Sequence, residues 1–337
     1  MRPLILDVQG VELAAQEKEI LGHPLVAGVI LFTRNFVNIK QLKELVQQIR
    51  FYAENDILIA VDHEGGRVQR FKEGFTLLPA AGALLEFNDL ENAKKLAFSS
   101  AWVMASELIA CDIDLSFAPV LDLNGISDVI QKRAFSSAVA PTIELAQAYI
   151  KGMKAAGMCA TGKHFPGHGS VQADSHIDLP VDKRSKEEIF AKDLLPFKQL
   201  INQGSLDALM PSHVVYQQCD AQPAGFSSYW LQNVLRRQLS FTGAIISDDL
   251  SMHGASFAGN HFSRAGAAIK AGCDLILACN DIKGAISIVD NLKLPSQKNN
   301  AVIRKLRCVN KFAGVPLFKN PIWIENNRNL TRFVERI

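Results

Sequence analysis

The amino-acid sequence predicts an α/β protein built as one (β/α)8 barrel. Three observations carry that prediction. Eight short apolar runs recur through the 337 residues, segments with helical spacing lie between them, and charged and imidazole side chains gather where the runs end. Apolar runs without polar alternation are what parallel strands covered on both faces show.

In chain order the runs are "PLILDV" from Pro3, "VAGVILF" from Val26, "ILIAVDHEGG" from Ile57, "IDLSFAPVLD" from Ile113, "MCATGKHFPGH" from Met158, "ALMPSHV" from Ala208, "GAIISDDL" from Gly243 and "LILACN" from Leu275. Between the second and third, Ile39, Leu42, Leu45, Val46 and Ile49 fall close to one face of a helix. The stretch from Glu91 to Cys111 has no Gly or Pro and reads as a long, largely buried helix. "PTIELAQAYIKGMKAAG" opens with Pro141 in a first-turn position and stops at Gly157, the usual start and stop asymmetry. From Leu292 onward the chain is more basic and is expected to pack as closing helices, so that residues 1–337 form a single catalytic domain. Eight strand-helix units favour a barrel over an open doubly wound sheet. That alternative also lacks its phosphate cradles, since neither G-x-G-x-x-G after the first strand nor G-x-x-x-x-G-K-[ST] occurs.

Composition narrows the partners. Hydrophobic residues make up 48% and charged residues 21%, which is ordinary globular usage, and the net charge of +2 offers no broad basic field for nucleic acid. The opening "MRPLILDVQG" is far short of a signal peptide, and no apolar run approaches a membrane span, so a soluble, cytoplasmic chain is expected. The six cysteines form no C-x-x-C pair and read as reduced core residues. No heptad or apolar stripe signals self-association, so a monomer acting on a small molecule is expected, without nucleic acid or membrane partners.

In such a barrel chemistry sits at the C-terminal ends of the strands. The third run ends in Asp62, His63, Glu64, Arg67 and Arg70; the fourth in Asp122, with Arg133 further along; the fifth in "KHFPGHGSVQADSH"; the sixth in His213; the seventh in Ser247, Asp248 and Asp249. Six of the eight histidines (His63, His164, His168, His176, His213 and His253) lie at or just beyond these ends. Any one of them also reads as a polar group capping a strand; the set, gathered at one end, reads as a site.

Three chemistries compete for it. A metal site is suggested by His164 and His168 at i, i+4 with Asp174 and His176 nearby, but Pro166 and Gly167 oppose the helix that would bring the two rings together. A serine nucleophile would need the G-x-S-x-G elbow, which is absent around Ser170 and Ser247. Glycoside hydrolysis needs a carboxylate and a proton donor. Asp248 can supply the first, and His176 the second, with Asp174 orienting its ring. From the residues alone this is the leading choice among the three, with no cofactor or metal required.

Taken together, "VDHEGGRVQR", "FAPVLDL", "KHFPGHGSVQADSHIDLP" and "GAIISDDLSM", in this order from Val61 to Met252, resemble glycoside hydrolase family 3. The K-H-F-P-G-H-G and D-S-H elements resemble its subgroup of bacterial β-N-acetylglucosaminidases that recycle cell-wall muropeptides. The resemblance implies a TIM barrel and a retaining, exo-acting reaction that releases terminal non-reducing β-1,4-linked N-acetylglucosamine. It implies Asp248 as the nucleophile that carries the covalent glycosyl group, His176 with Asp174 as the acid/base dyad, and Asp62, Arg70, Arg133, Lys163 and His164 as the residues that hold the sugar.

Many relatives carry a glutamate acid/base on a second domain. With none expected here, the proton donor must come from the barrel or from a partner chain. Around Arg133, "IQKRAFSSAVAP" keeps the Arg and Phe of the family's loop but lacks its glycine and Asp-Pro, which weakens the assignment of Arg133. Substrate-assisted attack by the acetamido oxygen, phosphorolysis on the same scaffold, and a non-catalytic muropeptide sensor are the alternatives.

Overall fold

A computed structural model describes residues 2–53, 57–172, 179–293, 304–309, 311 and 316–337. Its central strands are β1 (Leu4–Asp7), β2 (Val26–Leu31), β3 (Leu58–Val61), β4 (Leu115–Ser116), β5 (Thr161–Phe165), β6 (Ala208–Pro211), β7 (Ala244–Asp249) and β8 (Leu275–Ala278). Each falls inside one of the eight apolar runs. They form one eight-stranded sheet in the order β4-β3-β2-β1-β8-β7-β6-β5, and every neighbouring pair is parallel.

The two end strands meet. Val120 bridges Lys163, the Thr161 amide donates to the Ala118 carbonyl at 2.8 Å, and the Leu121 amide donates to the Lys163 carbonyl at 2.6 Å. These bonds close the sheet into a barrel. The fourth strand is short because Pro119 interrupts it and has no N–H to give to a ladder.

Helices α1 (Ala15–Leu21), α2 (Ile39–Tyr52), α3 (Leu90–Ile109), α4 (Val139–Ala156), α5 (Leu195–Asn202), the π-wound α6 (Tyr229–Gln238), α7 (His261–Ala271) and α8 (Ile282–Asn291) lie between and after the strands. In α2 the Asn38 side chain accepts from the Gln41 amide and starts the helix, while Leu42, Leu45, Val46 and Ile49 are buried against the barrel. Helix α4 begins two residues before Pro141, which therefore lies in the first turn, where no intrahelical N–H bond is lost. It ends at Gly157, whose φ of 106° is a left-handed stop that suits glycine.

Burial divides into two layers. Ile5, Ile30, Leu58, Phe117, Ile246 and Leu275 fill the inside of the barrel, and a larger apolar layer lies between strands and helices. Leu306, from the basic tail, joins the inner layer with 1% of its surface exposed. Around it the Cys159 thiol meets the Lys305 carbonyl, and Arg307 pairs with Asp114 at 3.4 Å. Since Asp114 and Cys159 precede β4 and β5, this segment stops the barrel at its N-terminal end. Further on, α9 (Pro321–Val334) buries Leu330 and Phe333 and docks on α3, where the Trp323 indole N–H donates to Glu107 at 2.9 Å. Among the described residues, no helix is long and apolar enough to cross a membrane.

Candidate active site

At the opposite, C-terminal end of the strands lies a cavity of about 300 Å³. Six of the eight candidate residues line it: Asp62, Arg70, Arg133, Lys163, His164 and Asp248. Asp174 and His176 lie outside the described residues.

The wall formed by β3 and β5 is a buried ion network. Lys163, inside β5 and 2% exposed, places its Nζ 2.7 Å from both Asp62 Oδ1 and Glu64 Oε1. Glu64 in turn receives two parallel bonds from Arg133, Nε to Oε2 and Nη2 to Oε1, both 2.8 Å. Arg70 stands 3.7 Å from Asp62 and 5.8 Å over the ring of Phe32. Burial pushes the Glu64 carboxyl up, but the Arg133 and Lys163 charges outweigh it and hold Glu64 well below the usual carboxylate range. Lys163 shows the reverse balance: burial opposes its charge, and Asp62 and Glu64 more than restore it. Both cations are therefore kept charged in a dry place.

The local fold explains how Glu64 gets there. His63–Gly65 pairs antiparallel with Val68–Gln69, and Gly65 and Gly66 turn between them at φ of 104° and 55°. A Cβ on Gly65 would overlap the Pro79 carbonyl oxygen. The sequence therefore turns back at once and presents Asp62 and Glu64 to one side, as alternate residues of an extended chain do. That i, i+2 spacing is the sequence signal for Glu64, whose place at the strand end is legible in the chain while its ion partners are not.

Beside this wall, Asp122 is fully buried and orients the fifth-strand motif. It accepts from His164 Nδ1 at 2.6 Å, from the His164 amide at 3.2 Å and from the His168 amide at 2.7 Å. Burial raises its pKa and the two histidines more than reverse that, so the carboxyl stays ionised. With Nδ1 held by Asp122, the other nitrogen of His164 is left to meet a ligand.

On the β7 wall the supports are mostly backbone. The Asp249 amide donates to Asp248 Oδ1 at 2.9 Å, and Asp249 Oδ1 accepts from the Ser251 and Cys279 amides at 2.9 and 3.0 Å. Burial pushes Asp249 up to about 6. Met210, Met252 and Leu277 add apolar surface between the walls.

The other histidines separate. His168 lines the cavity, whereas His63 packs against Phe71 and Phe75, and burial with the nearby Arg70 pushes it down to about 3. His213 is buried against Phe226, and His253 is exposed at the start of a short 3-10 turn. Within the described residues, no group of three or more His, Cys, Asp or Glu is arranged to hold a metal ion. All six cysteines are free thiols.

Residues 5–309 match the glycosyl hydrolase family 3 N-terminal domain. The chain belongs to glycosyl hydrolase family 3. It is 68% identical over 337 residues, all of both chains, to a beta-hexosaminidase of Psychromonas ingrahamii. With a beta-hexosaminidase of Haemophilus influenzae it shares 52% over 312 residues, 93% of this chain and 89% of the relative. The crystal structure of native NagZ from Neisseria gonorrhoeae superposes with a TM-score of 0.91 at 40% identity, covering 98% of this chain and 97% of that one. The same gonococcal protein has been solved in complex with N-trifluoroacetyl-D-glucosamine, again with a TM-score of 0.91. This family 3 chain is thus an enzyme, a glycosidase of the beta-hexosaminidase type on a TIM-barrel fold. The family match stops before α9, the helix that docks on α3.

Proposed function

We propose that this glycosidase removes terminal non-reducing β-1,4-linked N-acetylglucosamine from cell-wall muropeptides, with retention of anomeric configuration. Asp248 attacks the anomeric carbon while His176, oriented by Asp174, gives a proton to the departing sugar oxygen. Neutral His176 then takes a proton from water, the water oxygen bonds to the anomeric carbon, and Asp248 leaves. Asp62, Arg70, Arg133, Lys163 and His164 hold the sugar hydroxyls and the acetamido group. The chain works as a single catalytic domain and a monomer, in the cytoplasm, with no metal or cofactor.

The observation that carries this reading is the shared cavity: Asp248 lines it opposite charged donors already fixed in place by Glu64 and Asp122. Its size is at the low end for a small-molecule site and suits one sugar ring, in keeping with exo action. The gonococcal complex with an N-acylated glucosamine supports the choice of sugar.

Proton NMR of an aryl β-N-acetylglucosaminide mixed with enzyme and chelator is the test. We expect the β anomer of the free sugar before mutarotation, and a fluorosugar that stays attached to the peptide containing Asp248. The α anomer first would overturn the covalent mechanism.

A further inference from the structure

The nucleophile segment overhangs its neighbour. Strand β7 pairs with β6 at Ala244 with Ala208 and at Ile245 with Leu209, yet it runs on to Asp249. On its other side the overhang stays in the sheet: Asp249 pairs with Leu277 of β8, and the Leu250 amide donates to the Leu277 carbonyl at 2.8 Å. Toward β6 the described ladder has ended, and a carbonyl at the end of a strand needs a donor from somewhere else.

His213 fills that place. It follows Pro211, the last residue of β6, by two positions, and its Nε2 lies 3.1 Å from the Asp249 carbonyl oxygen. The ring is fully buried and stacks on Phe226 with centroids 5.3 Å apart and planes 10° from parallel. Gly225 borders the ring: a Cβ there would sit at an ordinary contact distance of 3.4 Å from Nδ1. Burial outweighs the neighbouring carboxylate and keeps the imidazole neutral. A neutral ring facing a carbonyl oxygen through Nε2 must carry its proton on Nε2. Among the described residues Nδ1 has no partner.

We propose that His213 is a positioning residue for Asp248: its Nε2–H replaces the backbone donor that β6 does not provide and fixes the Asp249–Leu250 peptide, so holding Asp249, whose own amide donates to Asp248 Oδ1, and with it the direction from which the carboxylate attacks. This rests on the reading of Asp248 as the nucleophile. Displacing a reacting group by about 1 Å can cost on the order of 100-fold in rate. The effect falls on kcat, because the sugar is held by the opposite wall.

The test uses the full chain and an activated aryl β-N-acetylglucosaminide, whose leaving group needs little protonation. His213→Phe, which keeps the stack on Phe226 and removes the donor, is expected to lower kcat on the order of 100-fold with KM within about twofold. His213→Gln, which can return an N–H near the same point, is expected to recover most of that loss. A folded His213→Phe enzyme with wild-type kcat overturns the proposal, and so does equal loss in the Phe and Gln variants. Should His213→Phe fail to fold, nitrogen NMR of the wild-type histidines decides: His213 protonated on Nδ1 overturns the proposal, and protonation on Nε2 sustains it. Asp248→Ala is assayed in parallel. If it keeps activity, the nucleophile assignment has failed; if it is inactive while His213→Phe is not, only the present inference has failed.

Discussion

On the β3–β5 wall, charge holds charge: Glu64 fixes Lys163 and Arg133, Asp62 shares Lys163, and Asp122 fixes His164. On the β7 wall Asp248 and Asp249 are steered by the amides of Asp249, Ser251 and Cys279 and by His213. The first wall is built to keep donors rigid before a neutral ligand arrives, because a fixed cation need not reorganise when a hydroxyl replaces water. On the second wall the described contacts of the two carboxylates are with backbone amides, which orient them through single directional bonds.

Removing a charge from the first wall sharpens this contrast most. Glu64→Gln leaves Lys163 and Arg133 buried with one counter-charge fewer, and breaking a buried pair in this way costs about 3 to 5 kcal/mol. We expect a clear fall in the urea midpoint and a rise in KM. An unchanged midpoint would mean that the network is solvated rather than dry.

A smaller loss is expected at Asp122. Asp122→Asn keeps an acceptor for His164 but removes the charge that strengthens the bond, a difference of about 1.4 kcal/mol. KM should rise about tenfold with kcat less affected, measured by steady-state kinetics. A change confined to kcat would move His164 out of the binding role and into the chemistry.

The smallest effect concerns the second wall and is present only at high pH. Folding raises Asp249 from its ordinary value to about 6, so the folded chain binds this proton more tightly than the unfolded one. Stability from this group is therefore present below the unfolded pKa and is lost as pH rises through about 6. Asp249→Asn keeps the oxygen that accepts from Ser251 and Cys279 and removes the ionisation. It should raise the melting temperature by a few degrees at pH 8 and leave it nearly unchanged at pH 4. Equal shifts at both pH values would show that Asp249 is not strained by its charge.

Much of this was legible before any fold was known. All eight strands fall within the apolar runs, because a parallel strand buried on both faces needs apolar residues at every position. The histidines were harder. His63 and His164 look alike in sequence, each next to a charged residue near the end of an apolar run, yet one is packed among phenylalanines and the other lines the cavity. What separates them is the hairpin at Gly65 and Gly66, which turns alternate residues to opposite sides. The tail is similar: it holds α9, but nothing in its composition says that Leu306 enters the barrel.

By itself the sequence determined the barrel, the end of it where polar residues line the cavity and the family motifs, since these depend on the order and spacing of residues along one chain. Tertiary structure alone decided the partnerships: Glu64 with Arg133, Asp122 with His164, His213 with the carbonyl of Asp249. Each joins residues from different strand-helix units, tens of positions apart. Such contacts follow from closure of the sheet, which brings strand ends together at one mouth, and no local pattern encodes the distance between two side chains until that closure has been made.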